Sequence, residues 1–81
     1  MLYSEEAVAR LKALDKATAK RIIRKITGSR ADPHLGFKRL AGRPEYKLRI
    51  GDYRVIADID ESKKVILVRT LGHRKNIYDN L

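Results

Sequence analysis

The chain contains no cysteine, which excludes a disulfide framework and a thiolate metal site. No apolar run approaches the roughly 20 residues that a membrane-spanning helix needs, so no membrane association is expected. The opening Met1-Leu2-Tyr3-Ser4-Glu5-Glu6 lacks a basic region followed by an apolar stretch, and no secretory leader is expected. Internal repeats and low-complexity tracts are also missing. Acidic residues are scarce, with ten Asp and Glu against nineteen Lys and Arg. These absences leave a soluble cytoplasmic protein as the expectation.

Of the 81 residues, 43% are hydrophobic and 36% charged, a globular composition that fits one domain spanning 1–81. The net charge of +9 exceeds what a small domain needs for solubility, so a polyanionic partner is expected: nucleic acid, ribosome or an acidic protein. The excess is uneven. Residues 1–27 and 28–54 each hold seven basic against three acidic residues, while 55–81 hold five against four.

Ser4 followed by Glu5 and Glu6 reads as a helix cap with an acidic first turn. Ala7, Val8, Leu11 and Leu14 recur at helical spacing, predicting a helix over 5–14. Asp15 can cap a second helix with an apolar stripe of Ala19, Ile22, Ile23 and Ile26, which Gly28 would end in a left-handed conformation. Its other face carries Lys16, Lys20, Arg21, Arg24 and Lys25, a docking element for RNA phosphates or plain solvated surface. Ser29 to Gly36, with Asp32-Pro33, reads as a loop, and His34 as a loop residue. Strands are predicted over 46–50 and 53–59, joined at Gly51-Asp52, and over an apolar run from Val65 that ends at Leu71. The fold class is therefore α+β: an N-terminal helical hairpin packed on a small, twisted antiparallel sheet. Arg69 interrupts the apolar run and should face the open side of the sheet or pair with Asp58.

From Phe37 onward the residues carry a resemblance. Leu40-Ala41-Gly42-Arg43-Pro44 precedes Tyr46-Lys47-Leu48-Arg49-Ile50-Gly51-Asp52-Tyr53-Arg54-Val55, and the chain closes on Gly72-His73-Arg74-Lys75-Asn76-Ile77-Tyr78. With the helical hairpin before it, this order resembles the RelE branch of the RelE/ParE toxins of type II toxin-antitoxin systems. The resemblance implies a fold related to microbial ribonucleases, with a short first strand here. It implies a ribosome-dependent endoribonuclease that cuts mRNA in the ribosomal A site and inhibits translation, using no cofactor. It also implies an acidic RelB-like antitoxin, and a toxin-antitoxin complex that binds operator DNA. On the family pattern Lys47, Arg54, Arg74 and Tyr78 fall on active-site positions, with Arg49 nearby. Glu45 departs from the pattern, standing where many members have a second lysine.

RNA can be cut by its own 2′-hydroxyl, given a base, a charge stabiliser and an acid for the leaving oxygen, with no metal needed. His73 is a candidate base because imidazole titrates near neutrality. Lys47 is the other, should the cations Arg49 and Arg54 disfavour its charged form. Arg54 and Arg74 suit phosphate, since a planar guanidinium bonds two oxygens at once. Tyr78 can stack on a base or place a proton. Arg43, Lys38 and Lys75 join Arg49 as RNA-binding candidates. The site requires Lys47 and Arg54 to share a face, with Gly72 releasing the chain at the rim so that His73 and Arg74 reach it. Two other readings stand beside this one: a ParE-like toxin directed at DNA gyrase, and a catalytically weakened RNA-binding relative.

Overall fold

The computed structural model describes residues 1–77. The chain starts in a short strand, β1 (Leu2–Tyr3), and turns at Ser4 into helix α1 (Glu5–Ala13). Ser4 Oγ accepts from Ala7 N at 3.1 Å and so satisfies one of the helix's orphan N–H groups. The same hydroxyl donates to the Arg69 carbonyl at 2.5 Å, and Ser4 N donates to the Val68 carbonyl at 2.9 Å, fastening the helix start to the sheet. Helix α2 (Lys16–Gly28) is capped by Asp15, which accepts from Thr18 N at 3.0 Å.

Gly28 ends α2 without turning left-handed; positive φ among the described glycines occurs only at Gly42 and Gly51. Ser29 closes the helix instead. Its N–H donates to the Ile26 carbonyl at 3.1 Å and its hydroxyl to the Lys25 carbonyl at 3.0 Å, so the last carbonyls need no left-handed glycine. The segment read as loop contains one helical turn, α3 (Pro33–Gly36), with Pro33 at its first position, where a missing N–H costs nothing.

Strands β2 (Phe37–Arg39), β3 (Tyr46–Ile50), β4 (Tyr53–Asp60) and β5 (Val65–His73) complete a five-stranded sheet in the order β1-β5-β4-β3-β2. The meander from β2 to β5 is antiparallel, and β1 alone runs parallel, to β5. That direction follows from Ser4, which must deliver the chain into α1 while bonded to the β5 backbone. A last turn, α4 (Arg74–Ile77), follows β5 directly. The fold is thus the expected α+β arrangement, a helical hairpin on a small sheet.

One face of the sheet packs on the helices. Phe37, Leu48, Val55, Ala57, Val68 and Leu71 are buried against Ala7, Ile22 and Ile26 in one core. Burying each large apolar side chain contributes roughly 1.5–3 kcal/mol, so this face holds the layers together. Val8 and Ile23, included in the predicted stripes, remain partly exposed. Ile56 and Ile77 are buried outside that core. Among the described residues, no helix is long and apolar enough to cross a membrane.

Candidate functional site

The other face of the sheet carries the site, and register decides its membership. Lys38 pairs with Lys47, Lys47 with Ile56, and Ile56 with Thr70. In the next row Arg49 pairs with Arg54, and Arg54 with Gly72. Cross-strand partners share a face, so all these residues lie opposite the helix-packed side. Lys38, Lys47, Arg49 and Arg54, with Gly36, line a depression of about 330 Å³. Four cations and no carboxylate line this hollow, a setting whose charge suits an anion.

Arg54 is the buried member, only 6% exposed. A buried guanidinium must find acceptors, and its Nη1 donates to the Gly51 carbonyl at 2.7 Å and the Tyr53 carbonyl at 2.9 Å. Those acceptors belong to the β3–β4 turn, where Gly51 takes φ +56°, a conformation that favours glycine in a tight hairpin. Two other arginines meet the same turn. Arg21, on α2, sends Nη2 to the Ile50 carbonyl at 3.4 Å, and Arg74 N donates to the Asp52 carbonyl at 2.7 Å. Four consecutive carbonyls, Ile50 to Tyr53, therefore each accept from an arginine. The Arg74 side chain, half exposed, also lies 3.9 Å from Asp52. The sequence reading missed the part played by Arg21, and a basic residue on a basic helix face gives no signal for it.

His73 does not join the cations. It pairs with Tyr53, on the helix-packed face, and its ring meets the Tyr53 ring edge-on at 5.6 Å. The cause is a bulge. Ile56 pairs with Thr70 but Ala57 with Val68, leaving Arg69 as an extra residue that reverses the alternation of everything after it. Nor does Gly72 release the chain: it stays in β5, opposite Arg54. His73 Nδ1 accepts from Lys75 N at 3.2 Å, which helps start α4 and leaves the Lys75 side chain exposed. Tyr78 lies outside the described residues.

Beyond Ile56 the open face changes character. Arg43, Glu45, Ile56, Leu67, Arg69 and Thr70 line a second depression of about 420 Å³, reached also by Ser4 and Glu6. Arg43 binds Glu45 through Nε at 3.1 Å and Nη2 at 2.9 Å, so it sits beside the cationic hollow and not in it. That hydrogen bond holds the Glu45 carboxyl below the usual carboxylate range. Arg69 donates to Asp58 at 2.6 Å, the expected pairing, and that bond raises its already high pKa. His34 opens away from both hollows, in contact with Glu61 and edge-on to Tyr46 at 5.7 Å.

A family model described as ParE toxin of type II toxin-antitoxin system, parDE, matches residues 1–78. No curated protein matches the chain in sequence. Among solved structures, it is similar to the toxin in the RelB-RelE antitoxin-toxin complex of Methanococcus jannaschii, at 27% identity and TM-score 0.77, over 100% of this chain and 99% of that one. The archaeal RelE-RelB complex of Pyrococcus horikoshii gives 27% identity and TM-score 0.74, over 91% and 92% of the two chains. The isolated RelE toxin of E. coli, at 21% identity, shares the fold with TM-score 0.75 over 98% and 89%.

Proposed function

The chain belongs to the ParE toxin family of type II toxin-antitoxin systems, and we propose that within the wider RelE/ParE group it is an endoribonuclease that cleaves mRNA on the ribosome. The observation that carries this reading is the hollow lined by Lys38, Lys47, Arg49 and Arg54 on one sheet face. Four cations facing one side suit a polyanionic strand and the extra charge of a phosphate under attack.

In the proposed reaction the 2′-hydroxyl attacks the adjacent phosphorus, and the bond to the 5′-oxygen of the next nucleotide breaks. A cyclic phosphate forms, and no metal is required. Lys47, acting as the neutral amine, takes the 2′-hydroxyl proton and returns it to the departing 5′-oxygen, as the candidate that shares the face of the cations. Arg54 stabilises the developing charge from beneath the hollow, where low exposure strengthens its field. Lys38 and Arg49 hold flanking phosphates, and Arg74 contributes from the rim at the β3–β4 turn. Lys75 and Arg43 extend the RNA-binding surface at its ends, and Tyr78 is retained as the residue that stacks on a base. His73 is given a positioning part only, through Tyr53 and the start of α4. The partners of this reading are mRNA in the A site, an acidic RelB-like antitoxin and, for the paired complex, operator DNA; its place of action is the cytoplasm.

A gyrase-directed toxin is the second reading, favoured by the ParE description of the matching family model. Adding the protein to a translating extract and mapping mRNA 5′ ends separates the two. Ribosome-dependent cuts inside codons, lost in Lys47→Ala, support the nuclease. Intact mRNA with gyrase-dependent DNA breaks would overturn it.

A further inference from the structure

We propose that Arg10, on α1, belongs to the RNA-facing surface and contacts a substrate phosphate at its β5 border; this rests on the RNA reading above. The sequence places Arg10 on a plain amphipathic helix, away from any site. The sheet edge changes that. β1 pairs only with Leu67 and Val68, so among the described residues β5 has no neighbouring strand on its outer side from Thr70 onward. α1 packs against β5, and two of its side chains one turn apart reach past this uncovered edge. Glu6 lines the hollow that holds Ile56 and Thr70, both on the open face. One turn further, Arg10 reaches Gly72: a methyl group placed on Gly72 would lie 3.5 Å from Arg10 Nη1.

Gly72 is the open-face partner of Arg54, which is itself the partner of Arg49. Arg49, Arg54 and the Arg10 guanidinium at Gly72 thus form one row across β3, β4 and β5. Adjacent strands lie about 4.8 Å apart, so the row presents a positive charge at each strand in turn. A strand of RNA laid along it runs across the sheet, past the Lys47 hollow and on to α1. Glycine at 72 leaves the space above β5 open for that guanidinium. In the absence of RNA, Arg10 Nε lies 3.7 Å from Glu6, and both side chains are partly exposed at 37% and 60%. Exposed pairs of this kind are weak, and a phosphate offering two oxygens to a planar guanidinium can displace the carboxylate.

The test is the salt dependence of binding between the full-length protein and a short single-stranded RNA. Log affinity falls by about 0.7 per log unit of salt for each single-strand phosphate neutralised. Arg10→Ala and Arg10→Gln should each make the slope shallower by about that amount, and Arg10→Lys should restore it. Glu6→Gln, which removes the competing carboxylate, should tighten binding. Lys12→Ala removes an equal charge from the same helix and should leave the slope unchanged. Thermal unfolding of each variant checks that it is folded. If Arg10→Ala and Arg10→Gln keep the slope of the wild type and Lys12→Ala, the proposal is overturned while the RNA reading stands. A wild-type chain that neither holds this RNA nor cuts mRNA in a translating extract overturns both.

Discussion

Arg54 folds back onto its own hairpin, with Nη1 donating to the Gly51 carbonyl at 2.7 Å. A side chain on the open side of the sheet therefore also fastens the turn that joins β3 to β4. Its proposed chemical part and its part in stability meet in one residue, and its variants have to be read with both in mind.

Arg54→Met should destabilise the fold by about 2–3 kcal/mol in urea unfolding, because the charged hydrogen bonds from a buried guanidinium to the turn carbonyls are lost. Arg54→Lys keeps the charge but not the forked donor geometry, and should fall between the variant and the wild type. Equal stability of all three proteins would remove the turn-fastening role.

Gly51→Ala meets two obstacles. Its φ of +56° costs a residue with a Cβ roughly 1–2 kcal/mol, and that Cβ would lie 2.5 Å from Arg21 Nη2. Arg21→Ala should relieve the second obstacle, so the double variant should lose less than the two single losses combined. Strict additivity in a denaturation cycle would refute the contact.

Lys47→Ala should lower ribosome-dependent cleavage by about 10²–10⁴-fold, the range lost with a general acid or base. Its unfolding midpoint should barely move, since Lys47 is a partly exposed strand residue. His73→Ala should do the reverse: a modest loss of stability, about 0.5–1.5 kcal/mol from the Tyr53 contact, with most cleavage retained. An equal loss of cleavage in both variants would return His73 to the reaction.

Acid should weaken the fold in a defined window. A hydrogen bond from Thr18 lowers the Asp15 pKa, one from Arg43 lowers that of Glu45, and one from Ser62 lowers that of Asp60. Their ordinary values are 3.8 for the aspartates and 4.5 for Glu45. Stability from these groups is complete above those values and is lost as pH falls through the lower folded ones. The thermal midpoint should be insensitive to these groups near neutrality and should drop below about pH 4.5. A variant carrying Asp15→Asn, Glu45→Gln and Asp60→Asn should begin less stable and fall less steeply. Parallel curves for the two proteins would contradict this.

The elements and the cationic hollow were legible in the sequence because they rest on short-range rules. Ser4 and Asp15 cap helices, and strict alternation puts Lys47 and Arg49 on one side of β3 and Leu48 on the other. His73 was misplaced because Gly72 was read as the point where the chain leaves the sheet, whereas β5 runs on to His73, past a bulge. The bulge leaves no mark in the sequence, because Val65-Ile66-Leu67-Val68 is apolar throughout and only burial singles out Ile66, Val68 and Leu71, spaced by two and then by three. Arg10 and Arg21 were illegible for a different reason. Their long side chains act at backbone positions that are distant in sequence, Gly72 and Ile50, and no local pattern records such a reach.

The arginine-bound turn has a consequence for how the molecule responds to its medium. The guanidiniums of Arg21 and Arg54 both bond carbonyls of this turn and that of Arg74 lies 3.9 Å from the Asp52 carboxylate, in a chain already at +9. Their mutual repulsion is a standing load on the fold, and dissolved ions screen it over about 8 Å at physiological strength. Added salt should thus raise the unfolding temperature over the same range in which it would loosen the proposed hold on RNA. A polyanion laid across the hollow would meet the charge of Arg54 in the same way, so the toxin should unfold at a higher temperature with one bound.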